Sequence, residues 1–458
     1  MTDKQQLYVL LFATTTSAFL TPFMGSAVNV ALPIIAKELS MTALAISWVA
    51  TAFLLAAAIT LVPLGRLADI YGRKRIFLYG AILFTTASLL CIWSPTQTFL
   101  IAMRAIQGIG GAMIFSTGTA MLVYAYPAGD RGKILGINIA AVYIGLTVGP
   151  FIGGLLTELW GWRYVFVFTA VLGTVVIVLT TGMIKEEWVG AKGESFDLAG
   201  SLLYAVALFA IMYGISLLPS RMAVLLIASG LICFIFFVLR QLKIPFPLLN
   251  IRLFLHNRVF ALSNLAALIN YLATFAVTFL LSLYLQHIKM LTPSQTGLVL
   301  IAEPIVQAFF SPLAGRLSDR YEPRIISSIG MALNVVGLIP LIFIHNDTSI
   351  HYIVICLIIL GIGFALFSSP NVNATMSSVE NKFYGIASAT LGTMRLVGQM
   401  LSMGITMLVF AVIIGNQTIS KANNPLLLQS TQIIFIILAV ICTVGISASL
   451  ARGRVHEK

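Results

Sequence analysis

Charge is what this 458-residue chain has least of: Asp, Glu, Lys and Arg together make up 9% of it, where a soluble domain carries about a quarter. That scarcity excludes a soluble globular protein. With 59% apolar residues and a mean hydropathy of +1.01, the chain reads as a polytopic membrane protein. Acids are scarcer than bases, 15 against 27, and the net charge is +12. In a soluble chain that imbalance points to nucleic acid. Here the bases sit in short gaps between apolar runs, so they read as loop anchors and no nucleic-acid partner is expected. Cysteine is scarce as well. Cys91, Cys233, Cys356 and Cys442 stand singly inside apolar runs, so neither a disulfide nor a metal site is expected. The chain lacks H-E-x-x-H, G-x-S-x-G and P-loop patterns. Its longest connections fall near 185–197 and 243–258, too short for a catalytic or ligand-binding module, so no enzyme and no cofactor are expected. No separate signal peptide is expected either, because the first apolar run, Tyr8 to Pro33, is too long for a signal h-region.

Taking about 20 apolar residues per span, the runs number fourteen: 8–33, 43–64, 76–94, 97–126, 133–156, 163–184, 198–218, 222–242, 259–286, 294–314, 324–344, 350–369, 385–414 and 429–451. An even number puts both termini on one side, and loop charge says which. With the N-terminus inside, twenty cations face the cytoplasm: Lys4, Arg66, Arg73, Lys74, Arg75, Arg131, Lys133, Lys185, Lys192, Arg240, Lys243, Arg252, Arg258, Arg316, Arg320, Arg324, Lys382, Arg452, Arg454 and Lys458. Five face out: Lys37, Arg163, Arg221, Lys289 and Lys421. The remaining two, Arg104 and Arg395, fall within spans. Both termini are therefore expected in the cytoplasm.

The loop after span 2, Gly65-Arg66-Leu67-Ala68-Asp69-Ile70-Tyr71, recurs after span 10 as Gly315-Arg316-Leu317-Ser318-Asp319-Arg320-Tyr321, with five of seven positions identical. Two six-helix halves would place the second copy after span 8. It comes two spans later, so spans 7 and 8 are an insertion. The expected architecture is all-α: an N-terminal six-helix half (1–190), two inserted helices (191–250) and a C-terminal six-helix half (251–458). An axis along the membrane normal would relate the halves, as in many secondary transporters. The repeat argues against a channel.

Span 5 contains Gly136 to Gly154, GINIAAVYIGLTVGPFIGG, with five glycines and Pro150 in nineteen residues. Gly145, Gly149 and Gly153 recur every fourth residue, a smooth stripe along which a neighbouring backbone can approach closely. Gly136 and Gly154 flank the stripe.

These motifs resemble the major facilitator superfamily, specifically its fourteen-helix drug:proton antiporter branch, the QacA/EmrB-like multidrug exporters. The loop from Gly65 through Gly72 and Arg73 to Arg75 is similar to the superfamily's loop between helices 2 and 3. Arg104-Ala105-Ile106-Gln107-Gly108-Ile109-Gly110-Gly111 is similar to its helix-4 motif. Gly136 to Gly154 looks like the antiporter signature, complete at every spacing, and Asn29-Val30-Ala31-Leu32-Pro33 resembles the end of the branch's helix-1 motif. The resemblance covers nearly the whole chain. It implies a major facilitator fold in a prokaryotic cytoplasmic membrane and export of lipophilic, often cationic, drugs in exchange for protons. The proton gradient would be the energy source; the partners would be small molecules, protons and lipid. A monomer is expected. One departure stands out: the branch usually carries an aspartate five residues before the Asn of the helix-1 motif, and this chain has Met24 there.

Of the 15 acids only Glu303 lies at membrane depth, about ten residues into span 10 and so roughly 15 Å down. An ionisable group there costs roughly 2.5–3.5 kcal/mol and usually faces a cavity. Glu303 reads as the proton-coupling acid, with a counter-ion role toward a cationic substrate open beside it; the alternative is a structural carboxyl. Pro304 next to it removes a helix hydrogen bond. By resemblance Arg104 helps couple proton movement to substrate; the alternative is an anchor to helix-1 carbonyls and Asn29. Arg395 reads as structural first, with cavity lining second. Two deep arginines against one deep acid leave room for zwitterionic, neutral or anionic substrates. Asp69, with Gly65, Arg66, Gly72 and Arg73 around it, reads as a gating loop that latches onto the start of helix 13, with Asp319 its weaker counterpart. The glycine stripe of helix 5 is expected to pack against helix 13. Candidates for the substrate cavity are Asn29, Gln107, Tyr143, Asn270, Tyr271, Gln307 and Arg395, with Asn264, Asn334 and Asn371 as further polar residues at depth. The competing function is a transporter of a metabolite, lipid or anionic compound; a receptor or channel stands behind both.

Overall fold

The structure is a computed structural model that describes residues 3–127, 130–380, 384–415, 417–419 and 421–453. Of the cations used above to orient the chain, Lys382, Arg454 and Lys458 lie outside the described residues. The fold is all-helical, and among the described residues fourteen helices are long and apolar enough to cross a membrane. They are α1 (Asp3–Glu38), α2 (Ala43–Tyr71), α3 (Arg73–Ile92), α4 (Gln97–Ala125), α5 (Arg131–Leu159), α6 (Arg163–Met183), α7 (Leu198–Ser216), α8 (Arg221–Gln241), α9 (Arg258–Leu283), α10 (Pro293–Leu300 and Ala302–Arg320), α11 (Pro323–Ile342), α12 (Ile350–Ser377), α13 (Tyr384–Ile413) and α14 (Asn424–Leu450). A short helix, Ile251–His256, leads into α9.

Local sequence explains where these helices start. Thr42, Thr96, Asp197, Ser220, Asn257, Thr292 and Ser349 each accept a hydrogen bond from the backbone N–H three residues on, which satisfies one of the donors a helix start leaves free. Apolar length does the rest, since in hydrocarbon a backbone must bond to itself. The break in α10 has a covalent cause. Pro304 has no N–H for the carbonyl of Leu300, four residues back, and Leu300 is where the first piece of α10 ends.

The two halves pack alike. In the first, α1 packs on α5 and α6, α4 on α2 and α3, and α3 on α6; in the second the same pairs recur eight helices later, α9 on α13 and α14, α12 on α10 and α11, and α11 on α14. The inserted α7 packs on α8 and lies over both α2 and α13. Its Tyr204 hydroxyl donates to the Ala58 carbonyl of α2 (3.2 Å), while Met212 and Ile215 cover Gly404 of α13. The inserted pair therefore covers one of the two seams between the halves.

Those seams correct one expectation. α5 does not pack on α13: its stripe lies against α1 of its own half. A Cβ on Gly145 would fall 2.5 Å from the Phe19 carbonyl, one on Gly153 2.7 Å from the Ala27 Cα, and Gly149 abuts Ser26. Across the halves α5 meets α10, and α13 meets α2. The repeat gives the reason, because α5 is the counterpart of α13 and α2 of α10. The two seams are copies of one pairing, and α5 against α13 would be neither. Gly136 has open space around it and takes no part in the stripe.

The end of the bundle bearing the 38–43 and 288–293 connections, which loop charge predicts to face outward, is called the outer end below. Hydrogen bonds between the halves cluster there. Ser282 donates to the Asn29 carbonyl (2.7 Å), Gln286 to the Val30 carbonyl (2.8 Å), the Ser294 N–H to Glu158 (3.0 Å), and the Ala43 N–H to the Gln417 carbonyl (3.1 Å). The bundle is closed at this end.

Candidate functional site

Midway through the bundle, side chains from both halves converge. Tyr143 of α5 reaches across to the hydroxyls of Ser311 on α10 and Ser368 on α12, with Tyr271 of α9 and Arg395 of α13 beside it. The Arg395 guanidinium carbon lies 5.4 Å from the centre of the Tyr271 ring, within cation–π range. Phe364 meets the same ring edge to face, centroids 5.3 Å apart at 71°. Gly398 permits this: α13 approaches α9 so closely that a Cβ there would fall 2.5 Å from the Leu268 carbonyl and 3.1 Å from the Tyr271 Cβ. Ser311 and Arg395 both lie about 27 Å from the outer ends of their helices at ~1.5 Å per residue, so they share a level. Tyr143, Tyr271, Phe364 and Arg395 are each half-buried.

Glu303 sits on the same stripe of α10, because Glu303, Gln307 and Ser311 follow at four-residue spacing. It is half-buried and has no hydrogen bond or ion pair to any described residue. It lies two turns, roughly 12 Å, outward of Ser311. Gln307 stands between them, 6% exposed.

Other candidates lie elsewhere. Arg104 is buried within the first half, where its Nε donates to the Val49 carbonyl of α2 (3.2 Å), its head group donates to Gln107, and its guanidinium stacks over Phe53 at 4.5 Å. Its anchor is thus on α2 and not on α1 or Asn29, and among the described residues no carboxylate joins it. Gln107 in turn donates to Ser88 (2.7 Å) and is fully buried, so it lines no cavity. Asn270 accepts from Asn334 (2.9 Å), a bond between α9 and α11, also away from a cavity. Asn29 contributes through its backbone to the outer closure. Met24 is buried, with the Thr169 hydroxyl of α6 turned to its sulfur at 3.6 Å, so the position where the branch carries an aspartate faces packed helix in this state.

The loop between α2 and α3 finds its partner in the connection between α6 and α7. Arg73 pairs with Asp69 (2.6 Å) and stacks on Tyr124 at 4.1 Å. The Asp69 carbonyl accepts from the N–H groups of Gly190 (3.0 Å) and Ala191 (2.8 Å), and Arg66 pairs with Glu194. Glu187 accepts from the N–H groups of Lys74 (2.8 Å) and Arg75 (3.2 Å), an anion on the first turn of α3. Gly72 supplies the turn between α2 and α3, at φ +122°. Among the described residues Asp69 thus meets this connection; the side chains at the start of α13, where a latch was expected, lie outside them. In the second copy Asp319 accepts from Asn373 (3.3 Å) and Gly315 has open space around it.

Sequence reasoning missed Arg452. Counted among loop cations, it is fully buried at the inner end of α14, where it donates to the Ser449 carbonyl (2.9 Å), Asn371 (2.8 Å) and Ser263 (3.3 Å). The only available signal was its place directly after an apolar run. Ser311 and Ser368, hydroxyls within apolar spans, were missed as well.

The family model of the major facilitator superfamily matches residues 14–263 and 263–458. The chain belongs to the major facilitator superfamily. Among the curated relatives of this superfamily member are the riboflavin transporter RibZ of Clostridioides difficile (29% identical, covering 99% of both chains) and the multidrug resistance protein Stp of Mycobacterium tuberculosis (30% identical over 88% of this chain and 75% of the relative). The methylenomycin A resistance protein of Bacillus subtilis is 28% identical over 83% of this chain and 82% of the relative. Two solved structures share the fold of this superfamily member. The peptide transporter POT in complex with alafosfalin superposes with a TM-score of 0.73 at 13% identity, covering 99% of this chain and 96% of that one. A bacterial homolog of the lysosomal transporter Spinster, inward-facing and unoccupied, gives 0.72 at 16%, covering 99% and 98%. The fold is that of a multi-pass membrane transporter.

Proposed function

We propose that this chain is a proton-coupled antiporter that exports lipophilic small molecules by alternating access about the Tyr143–Tyr271–Arg395 level. The observation that carries this reading is the placement of Glu303: the only carboxylate at membrane depth, without a partner among the described residues, on the stripe of α10 that reaches the central cluster. A carboxyl so placed can take and release a proton as the halves rock. The complete glycine motif of α5 and the multidrug-resistance relatives support the direction of transport. Arg104, buried away from any acid, enters as a brace for α2, α3 and α4. The same reading takes 1–190, 191–250 and 251–458 as the units, a cytoplasmic membrane as the location with both termini inside, and a monomer as the working form. It also takes the Asp69 loop as a latch that exchanges partners, holding the α6–α7 connection when the outer end is closed and the start of α13 when it is open.

The test is dye accumulation by inside-out vesicles that carry the protein, energised acid inside. Accumulation that stops when an ionophore collapses the pH gradient is the expected result. Transport indifferent to the gradient would overturn the coupling. A second reading, transport of a metabolite, draws on the 29% likeness to RibZ over the full length of both chains.

A further inference from the structure

Arg104 and Arg395 lie at depth and Arg452 is buried at the inner end of α14, and the three are not equivalent. Arg104 is engaged by Val49 and Gln107, and Arg452 by Ser449, Asn371 and Ser263. Arg395 has no hydrogen-bond acceptor among the described residues, although it is half-buried and its guanidinium carbon lies over the Tyr271 ring. A guanidinium carries five N–H donors in a flat fork that matches two adjacent acceptor atoms. At this depth lipid offers it nothing, so the unused fork marks a place for something that arrives.

We propose that Arg395, Tyr271 and Tyr143 form a binding site for planar aromatic molecules that carry an anionic or strongly hydrogen-bond-accepting edge. This rests on the transporter reading above and names the substrate class for it. Arg395 is the fixed charge of the cluster, and Glu303, the one acid at depth, lies roughly 12 Å outward along α10. A cationic substrate at this level would meet a like charge with no carboxylate beside it. An acceptor edge would satisfy the fork, while Tyr271, with Phe364 perpendicular to it, presents an aromatic corner into which a flat ring packs. Tyr143 closes the site from the other half and brings a hydroxyl. Because one wall belongs to the first half and the rest to the second, a bound ring touches both halves and feels their rocking directly. The separation also keeps proton and substrate from competing for one group: α10 carries the acid two turns from the cluster.

Two xanthene dyes of the same ring system and opposite charge test this: fluorescein, an anion at neutral pH, and rhodamine 6G, a cation. Binding is read by fluorescence anisotropy on purified full-length protein in detergent, without membrane or gradient, so the result is independent of whether transport is proton-driven. Fluorescein is expected to bind at least about tenfold more tightly than rhodamine 6G, and Arg395→Gln to remove that preference, a change of about one decade. Arg395→Lys, which keeps the charge and loses the flat fork, recovers part of it, and Tyr271→Leu weakens both dyes. Equal or tighter binding of rhodamine 6G to the wild-type protein overturns the proposal, and that comparison needs no variant to fold. So does an Arg395→Gln protein that elutes as a single species and binds fluorescein unchanged.

Discussion

Gly297 of α10 lies against the carbonyl of Pro150 on α5, too close for any side chain to fit between them, and one turn along the same seam Gly154 lies in the same way against the carbonyl of Pro293. Two helices from opposite halves thus dock backbone to backbone at the outer end. The motif of α5 has two faces: Gly145, Gly149 and Gly153 seat it on α1, while Pro150 and Gly154 form half of a seam that must part when the outer end opens. Gly297→Val adds a branched three-carbon side chain where not even a Cβ fits and pries that seam. The expected outcome is a longer distance between spin labels at Leu159, at the outer end of α5, and Met290, in the connection between α9 and α10, both exposed, with the helical content unchanged. A distance distribution equal to that of the parent would show that the seam is not what holds this end shut.

Glu303→Gln keeps the shape of the carboxyl and removes its proton exchange. Gradient-driven accumulation is expected to fall at least about tenfold, the scale on which a lost proton-transfer group begins to act. Substrate-for-substrate exchange in reconstituted liposomes without a gradient is expected to stay within about threefold, a difference under 1 kcal/mol. Loss of both activities together would make Glu303 a structural carboxyl and leave the coupling unassigned.

Much of the architecture was legible because it follows from quantities a sequence states directly: run length gives the fourteen spans, and the Gly65 and Gly315 loops give the repeat. The partners of a helix face were not legible. The stripe Gly145–Gly149–Gly153 announces that something comes close but not that it is α1, since any backbone satisfies a smooth surface. Polar residues were harder still. Gln107, Asn270 and Tyr143 look alike as single polar residues in apolar spans, yet Gln107 and Asn270 bond to neighbouring helices and Tyr143 points across the seam. The difference is one of angle about the helix axis relative to neighbours that only the fold supplies. The same holds for Arg452, whose burial depends on hydroxyls and amides from α9, α12 and α14.

Asp197 ties the inserted helices to each other. It caps α7 through the Gly200 N–H (2.9 Å), accepts from Arg240 (2.8 Å) and Gln241 (2.8 Å) at the end of α8, and is nearly buried. Burial works to raise its pKa; the bonds from Arg240, Gly200 and Gln241 and the Arg240 charge outweigh burial and hold the carboxyl below its ordinary 3.8. A carboxylate depressed in the folded state stabilises above its unfolded value and loses that contribution as pH falls through the folded one. Asp197→Asn is therefore expected to destabilise by about 1–3 kcal/mol at neutral pH, read as a lower apparent melting midpoint in detergent. The gap to wild type narrows below about pH 4, where this carboxyl begins to protonate in the unfolded chain, and closes as pH falls through the lower folded value. A gap constant down to the acid limit would remove the carboxylate charge from the explanation.

Glu187 and Glu194 hold the α2–α3 loop from one connection, by different means. Glu187 spends both oxygens on backbone N–H groups at the start of α3, so Glu187→Gln keeps one acceptor and Glu187→Ala none. The expected losses are graded, with Ala at about 1 kcal/mol, the usual worth of a helix cap, and Gln at a fraction of it. Arg66 and Glu194 are an ion pair with 21% and 30% of their side chains exposed, so their coupling in a double-mutant cycle is expected to be under about 1 kcal/mol. The pair matters more for switching than for stability. If the loop trades the connection for α13 as the outer end opens, Glu194→Ala removes a contact present only in the closed state. It must then shift the Leu159–Met290 label distance toward the open form. Should Glu194→Ala leave that distance where it is, the connection is a passive strap and the loop does not exchange partners.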